Sequence, residues 1–280
     1  MSHPEGTYPL IDLSLARRLE RTEASANAAF VATRARVQPE SGATWTEVAG
    51  AYAMFDGVGS PLTQTFGLGL FADAGEAELD ALEAFFHQRG AGVDHEISPL
   101  AAPALLPHLN ARGYLPIELT SVLFRPVAGV PSPAPANERV RVRRIEPEEA
   151  ELWAGVAAEG WSSESADVGA FMLDWGRVSA QSENTFGFLA ELDGAPAGTG
   201  ALSIGEGTAL LAGASTVPAA RRQGVQRALL EARLRFAAER GCDLAMMGAL
   251  PGSASQRNAE RQGFRVAYTR IKWQLRRSGA

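Results

Sequence analysis

Residues 216–230 read TVPAARRQGVQRALL, and this stretch decides how we interpret the whole chain. It follows an apolar, strand-like run, Thr208 to Thr216, and opens a helical pattern that continues to about Arg240. The first amides of a helix have no carbonyl partner within the helix, and the helix dipole places partial positive charge at the same end. A strand, a short turn and a helix therefore predict a seat for a pyrophosphate group.

The residues of the turn suit an anionic ligand. Gly224 has no Cβ to intrude on a ligand that approaches the backbone. Arg221, Arg222 and Arg227 add positive charge around the same spot. On composition alone, an ordinary exposed helix start with a solvated arginine cluster explains the stretch equally well.

The motif Arg221-x-x-Gly224-x-Gln226 resembles the acetyl-CoA loop of the GCN5-related N-acetyltransferases (the GNAT superfamily), usually written Gln/Arg-x-x-Gly-x-Gly/Ala. The segment from Pro251 to Phe264 resembles the last helix of that family, with the Gly-Phe that turns into the next strand. The likeness covers roughly residues 140–275. It implies direct transfer of an acetyl group from acetyl-CoA to an amine.

Composition sets limits on the class of protein. With 280 residues, 46% of them hydrophobic and 21% charged, the chain is long and apolar enough for one large or two ordinary domains. A net charge of −6 argues against non-specific nucleic-acid binding. No apolar run approaches the length of a membrane span, and the first residues lack a signal-peptide pattern. A single cysteine excludes an internal disulfide and favours a cytoplasmic location.

The clearest seam in the sequence is the proline-rich stretch 126–137, which reads as an extended connector. We therefore predict a domain over residues 1–126, a linker over 127–138 and a second domain over 139–280. The second domain is the one expected to bind acetyl-CoA.

Alternating patterns in the second half predict an α/β (mixed α+β) fold. A strand at 140–144, helices at 147–159 and 168–180, a hairpin at 186–204 and a strand at 208–216 precede the loop helix. A strand at 243–250, a helix at 253–262 and a strand at 266–275 follow it. This order predicts a mixed, mostly antiparallel sheet flanked by helices.

The first half repeats the tail of this order, which favours a tandem of two GNAT-like domains; chance agreement between two unrelated α/β halves is the alternative. Aligning Gly90 with Gly241 sets Asp73 against Gly224 and Glu76 against Arg227. Acidic residues at a helix start repel a pyrophosphate. The first copy is therefore expected not to bind the coenzyme.

The resemblance also implies a coenzyme site in the second copy. Pantetheine and pyrophosphate would contact the end of the strand and the loop, with two further residues on the far wall; the set is Thr216, Val217, Arg222, Gln223, Gly224, Val225, Gln226, Arg227, Ala228, Ser255 and Asn258. Two positions depart from the family. Gln226 replaces the second glycine or alanine and is expected to crowd the phosphates, and Ala259 stands where a tyrosine often serves as the acid.

Candidates for catalytic residues are weaker. Glu191 and Glu159 are the nearest carboxylates to the strand at 208–216, although a solvated charge is the simpler interpretation of each. Ser215 could hold a water molecule that carries the proton away from the attacking amine. Tyr268 is a spare donor on the last strand, where a packed sheet residue is the simpler interpretation.

Other reactive residues read as structural. Cys242 is interpreted as a small core residue. The four histidines (His3, His87, His95 and His108) have no metal-ligand spacing, and His95 and His108 are expected at the surface or half-buried. Trp161 and Trp175 suit either an apolar wall for the substrate or core packing.

The combined interpretation is a cytoplasmic N-acetyltransferase of the GNAT type, with acetyl-CoA as co-substrate, no metal, and a small-molecule amine as acceptor. Nucleic acid and membrane are not expected as partners, and a homodimer is left open. The alternatives are an acyl-CoA-binding sensor or scaffold that has lost catalysis, and an interaction module without a ligand.

Overall fold

A computed structural model describes residues 8–127, 137–162 and 166–276. Most of the predicted linker (residues 128–136) and His3 lie outside the described residues. The chain forms two compact units. The first unit holds the described residues of Tyr8–Arg125 and Met246–Ala280, and the second unit holds those of Pro126–Ala245.

The helices and strands follow in chain order: α1 (Leu13–Val37), β1 (Thr44–Val48), β2 (Ala51–Phe55), β3 (Gln64–Phe66), α2 (Glu76–His87), β4 (Asp94–Ile97), α3 (Leu105–Arg112), β5 (Tyr114–Pro126), β6 (Val140–Arg144), α4 (Ala150–Trp161), α5 (Ala166–Ser179), β7 (Thr185–Leu192), β8 (Ala195–Gly205), β9 (Thr208–Thr216), α6 (Val225–Glu239), β10 (Leu244–Ala249), α7 (Ala254–Arg261) and β11 (Arg265–Leu275). The mixed α/β class and every element predicted in the second half are confirmed, with boundaries within three residues.

The two units divide the chain differently from the predicted domains. The sheet of the first unit has the strand order β1-β2-β3-β4-β11-β5, so the last strand of the chain lies between two strands from the first half. β11 pairs antiparallel with both β4 and β5. Local sequence patterns give the position of a strand but not its partners, and for this reason the boundaries read from the linker differ from the compact units.

In the second unit, β6, β7, β8 and β9 form an antiparallel meander with helices on both faces. A Cβ on Gly187 would lie 3.4 Å from Trp153 of α4, whereas a Cβ on Gly200 would lie 2.9 Å from the Arg233 Cζ of α6. Gly187 pairs with Ala201, and neighbouring residues of a strand point to opposite faces. Helices α4 and α6 therefore cover opposite faces of this sheet.

The helix start in the first half lies two residues later than our alignment placed it. Gly75, not Asp73, is the N-cap of α2. Helix α2 has 12 residues and α6 has 15, so an alignment on the glycines that follow the two helices does not also align their first residues. The Glu78 carboxylate accepts a hydrogen bond from the Gly75 amide at 2.9 Å. The predicted acidic helix start is confirmed. That this copy leaves the coenzyme unbound stays a prediction.

Across the described residues, none of the helices has both the length and the apolar character that a membrane span requires.

Charged side chains are buried in the first unit between α1 and the sheet. Glu20 is fully buried, accepts a hydrogen bond from the Tyr268 hydroxyl at 2.9 Å and lies 3.3 Å from the Arg270 guanidinium. Arg270 also contacts Glu23 at 2.8 Å and Glu96 at 3.4 Å. Burial raises the pKa of Glu20 to about 7, and the opposite charge of Arg270 offsets part of this effect.

We predict that this carboxyl makes stability depend on pH. The folded protein keeps a proton on Glu20 at pH values where the unfolded chain has lost it, so the free energy of unfolding falls between about pH 4.5 and 7. The side chain of Glu20→Gln cannot ionise. As the pH rises across this range, the free energy of unfolding of the variant should therefore increase by about 1–3 kcal/mol relative to that of the native protein. Denaturant unfolding at a series of pH values measures the difference. The exposed control Glu40→Gln should run parallel to the native protein, and a Glu20→Gln curve that is also parallel would contradict the assignment.

Candidate functional site

Strand β9 carries a β-bulge just before the predicted coenzyme loop. Thr199 pairs with Ser215 and Ala201 pairs with Ala212, so residues 213–214 of β9 oppose Gly200 alone on β8. Gly213 has a positive φ of 58°. A bulge reorients the backbone and breaks the regular ladder, and bulges are common beside active sites.

The loop after β9 is shaped by two residues with left-handed backbone angles. A 3₁₀ turn at Pro218–Ala220 leads to Arg222, with φ 63°, and then to Gly224, with φ 84°. A Cβ built on Gly224 would meet the Asn137 Cβ at 3.7 Å, which is an ordinary contact. Glycine is needed here for its backbone angle more than for space.

The helix start that follows Gly224 is open to a ligand. Within the described part of the chain, the amides from Arg222 to Arg227 donate no hydrogen bond to a carbonyl or side chain. The Ala228 amide donates to the Gly224 carbonyl at 3.0 Å, as the first bond of the helix. Ala228 therefore does not offer its amide to a ligand, which corrects one of the predicted coenzyme contacts.

The three arginines of the loop differ in their engagement. Arg221 donates to the carbonyls of Gly160 at 3.1 Å and Thr216 at 3.4 Å and so ties the end of α4 to the end of β9. Arg227 forms an ion pair with Glu231 at 2.7 Å. Arg222 is exposed, and its guanidinium has no partner among the described side chains. Arg222 is therefore the arginine most available to a phosphate.

Side-chain contacts fix the loop from both ends. Asn137 donates its side-chain amide to the Gln223 carbonyl at 2.9 Å, a contact that we did not foresee because Asn137 reads as the end of the linker. Gln226 donates its side-chain amide to the Thr216 hydroxyl at 2.8 Å. This contact draws the Gln226 side chain back toward the strand, away from the crowded position that we expected for it.

Three of the four candidate catalytic residues have other partners, whereas Glu159, near the end of α4, is exposed. The Ser215 hydroxyl is buried and shares a hydrogen bond with Thr199 at 2.9 Å. Glu191 forms an ion pair with Arg143 at 3.1 Å on β7, with β8 between it and β9. The Tyr268 hydroxyl donates to Glu20, and burial raises the pKa of this phenol. These contacts do not support Glu191 or Tyr268 as a base or an acid, and they favour the packed interpretation of Tyr268.

The predicted residues of the far wall lie on α7 in the first unit. Ser255 and Asn258 are both exposed, and the Asn258 side chain accepts a hydrogen bond from Arg261 at 3.1 Å. Their contact with the coenzyme stays a prediction. Ala259, at the position expected for a tyrosine, is buried.

Aromatic residues pack beside the bulge. Trp175 of α5 is half-buried, its ring centroid lies 6.0 Å from that of Trp153, and a Cβ on Gly213 would lie 2.6 Å from its indole. The buried Trp161 Nε1 has no hydrogen-bond partner among the described groups. Trp175 therefore combines core packing with a wall beside the bulge.

The remaining predictions on reactive residues have mixed outcomes. Cys242 is a buried cysteine, as predicted for a core residue. His108 is half-buried and bonded to Glu76 at 2.7 Å, also as expected. His95 is fully buried and contacts the Tyr114 hydroxyl at 3.0 Å, so the surface or half-buried position predicted for it is wrong. Burial lowers the pKa of this imidazole to about 3.

The bulged strand, the glycine-centred bend and the open helix start lie in a segment that is similar to a known family. Residues 142–264 match the model of the Acetyltransferase (GNAT) family. This segment of the chain is similar to that family.

Solved structures share the fold over nearly the whole chain. A GCN5-related N-acetyltransferase from Kribbella flavida is 20% identical and matches 89% of this chain and 96% of its own, with a TM-score of 0.64. Another from Sphaerobacter thermophilus is 17% identical and matches 97% and 98%, with a TM-score of 0.56. A tandem GNAT protein from the clavulanic acid biosynthesis pathway is 14% identical and matches 96% and 98%, with a TM-score of 0.57. Among curated proteins, none matches the sequence. The tandem GNAT fold predicted for the chain is confirmed.

We predict that Gly224→Glu abolishes stabilisation by coenzyme A. The substitution places a carboxylate at the open amides, where it repels a pyrophosphate. Binding at 100 times the dissociation constant should stabilise the native protein by about 2.7 kcal/mol, and the variant should show none of this gain.

Gly241→Glu is the matched control. Gly241 has φ 77° and open space around its Cβ direction, but it follows the other end of α6. Both variants carry a similar backbone strain of about 1–2 kcal/mol. Thermal melts with and without coenzyme A separate this strain from binding. Equal coenzyme shifts in the two variants would place the ligand elsewhere.

Two arginines of the loop should contribute unequally to the affinity for coenzyme A. Arg222→Ala is expected to weaken coenzyme A binding about tenfold at low salt, because its guanidinium is free to bond a phosphate. Arg227→Ala should cost less than about threefold, since Glu231 already holds that side chain. Calorimetric titration of both variants gives the two affinities. The reverse order would contradict the geometry of the loop.

Proposed function

We propose that the protein is an N-acetyltransferase that moves the acetyl group of acetyl-CoA to the amine of a small molecule by direct attack. The observation that carries the proposal is the set of unpaired amides from Arg222 to Arg227 behind the left-handed Gly224. These donors suit the pyrophosphate of the coenzyme, because a helix start combines free N–H groups with a positive dipole end.

The residues around the loop fit the coenzyme. The amides from Arg222 to Arg227 would receive the pyrophosphate, with Arg222 adding a mobile charge. Thr216 and Val217 would run beside the pantetheine arm. The bulge at residues 213–214 would place backbone amides near the thioester. Ser255 and Asn258 are proposed as further contacts.

The reaction proposed for this site needs few protein groups. The amine nitrogen attacks the thioester carbonyl, the carbon–sulfur bond breaks, and the coenzyme leaves as a thiolate. The ammonium proton of the adduct passes to water. Orientation of the two reactants alone can supply roughly 7–11 kcal/mol, whereas a positioned base adds about 10²–10⁴ in rate. The engagement of Glu191 and Tyr268 elsewhere supports a mechanism that relies on positioning.

Charge and shape support an amine acceptor. The net charge of −6 favours the approach of a cationic molecule. The half-buried Trp175 offers one aromatic wall beside the bulge. The proposed compartment is the cytoplasm, which suits the single reduced Cys242.

A transfer assay tests the proposal. Release of free thiol from acetyl-CoA should depend on the addition of an amine from a panel of small polyamines, amino sugars and aryl amines. Gly224→Glu should lose this activity and Gly241→Glu should keep it. Tight coenzyme binding without turnover on any amine would favour the sensor, and absence of binding would favour an interaction module.

The dependence of the rate on pH distinguishes positioning from base catalysis. Without a protein base, kcat/KM should rise about tenfold per pH unit up to the pKa of the acceptor ammonium, because the attacking amine must be neutral. Two acceptors with different pKa values should therefore give midpoints that differ by the same amount. A midpoint common to both acceptors would instead reveal a titrating protein group.

A further inference from the structure

A buried cation lies beneath the bulge of β9 and has no carboxylate partner among the described residues. Arg233 is on the third turn of α6, and its side chain is fully buried. Within the described ranges its guanidinium donates to main-chain carbonyls alone: those of Leu229 at 3.2 Å, Ala201 at 3.0 Å and Ala212 at 3.4 Å. Burial lowers the pKa of Arg233 to about 10, so it remains a cation at neutral pH.

A buried arginine without a carboxylate partner lowers the stability of the fold, so its presence at this position indicates a role for the charge. Removing a guanidinium from water is costly, and a leucine or methionine would fill a similar volume without that cost. The neighbouring sequence makes room for the charge. A Cβ on Gly200 would lie 2.9 Å from the Arg233 Cζ, so a larger residue on β8 would displace the guanidinium.

Two of the three carbonyls that Arg233 holds belong to the pair of residues that borders the bulge. Ala201 and Ala212 are the last regular partners before residues 213–214 bulge from β9. The Ala212 carbonyl and the Gly213 N–H belong to one peptide plane and point in opposite directions in a trans peptide. Fixing the Ala212 carbonyl toward α6 therefore aims the Gly213 N–H away from it. A cation on the carbonyl also polarises the peptide and strengthens its N–H as a donor.

The bulge is held from the opposite face as well. Trp175 packs against Gly213 from the α5 side, so closely that a Cβ on that glycine would clash with the indole. One peptide is thus fixed between an aromatic ring and a guanidinium. Helix α6 carries both the open amides at its start and Arg233 two turns later, which ties the coenzyme loop rigidly to the bulge.

We propose that Arg233 is a positioning residue for acyl transfer: it holds the Ala212–Gly213 peptide so that the Gly213 N–H faces the carbonyl oxygen of the bound thioester. This role rests on the proposed function. Arg233 itself touches neither substrate, and its effect is exerted through the backbone of β9.

Three variants and a control test this role. Arg233→Met removes the charge at similar volume. Arg233→Lys keeps a charge but lacks the Nε that donates to Leu229 and the reach of Nη1, which donates to both strand carbonyls. Gly200→Ala keeps the arginine and pushes it aside. Leu234→Ala, the neighbouring buried residue on α6, makes a cavity in the same helix and leaves the bulge carbonyls held.

The expected result is a change in kcat with little change in coenzyme affinity. Arg233→Met should lower kcat about 10–10²-fold, somewhat less than loss of an oxyanion donor itself, while the coenzyme A dissociation constant stays within threefold. Arg233→Lys should recover part of the rate, and Gly200→Ala should behave like a mild Arg233→Met. Leu234→Ala should lower stability and leave kcat within threefold.

Hydrogen exchange gives a readout that does not depend on activity. Amide exchange in the peptide 209–216 should be faster in Arg233→Met and Gly200→Ala than in the native protein. In Leu234→Ala, exchange in this peptide should change only as much as the loss of global stability explains. If the native protein acetylates amines and Arg233→Met keeps its kcat and its exchange rate, the role of Arg233 is refuted and the proposed function stands. If the native protein binds no coenzyme or transfers no acyl group, the proposed function fails and the role in acyl transfer fails with it.

Discussion

The proposed coenzyme site depends on one constraint, which is the left-handed backbone at Gly224. This angle ends the loop after β9 and starts α6 so that a run of amides has no carbonyl to bond. Unpaired N–H groups at a helix start are a normal feature of helices, but a protein usually satisfies them with a cap. Here the N-cap is a glycine, which has no side chain to do so, and the donors remain open. That opening makes the segment fit a diphosphate.

Helix α6 links the two halves of the proposed chemistry. Its first turn supplies amides and a positive dipole end, and its third turn supplies the guanidinium of Arg233. Strand β9 contacts α6 at both of these positions: Thr216 accepts a hydrogen bond from Gln226 near the loop, and the residues that border the bulge lie beside Arg233. Binding and orientation of the acyl group would thus come from one rigid helix and one strand. Such an arrangement can support transfer without a dedicated base.

The sequence was informative where structure depends on local signals. The strand–loop–helix at 208–239, the hairpin at 185–205 and the Gly-Phe turn follow from periodicity, turn residues and resemblance, and the structure confirms them. Long-range contacts could not be read in this way. The insertion of β11 between β4 and β5, the bond from Asn137 to the loop and the burial of Glu20 and His95 depend on partners far away in the chain. Arg233 was missed because it reads as one more charge on a helix rich in arginine.

The most direct measurement is a crystal structure of the protein with coenzyme A. We predict pyrophosphate oxygens within about 2.7–3.2 Å of several amides between Arg222 and Arg227, a normal hydrogen-bond length. We also predict that the thiol lies close to the bulge at residues 213–214. A diphosphate bound elsewhere, or a helix start in contact with solvent alone while the coenzyme is bound, would contradict the account.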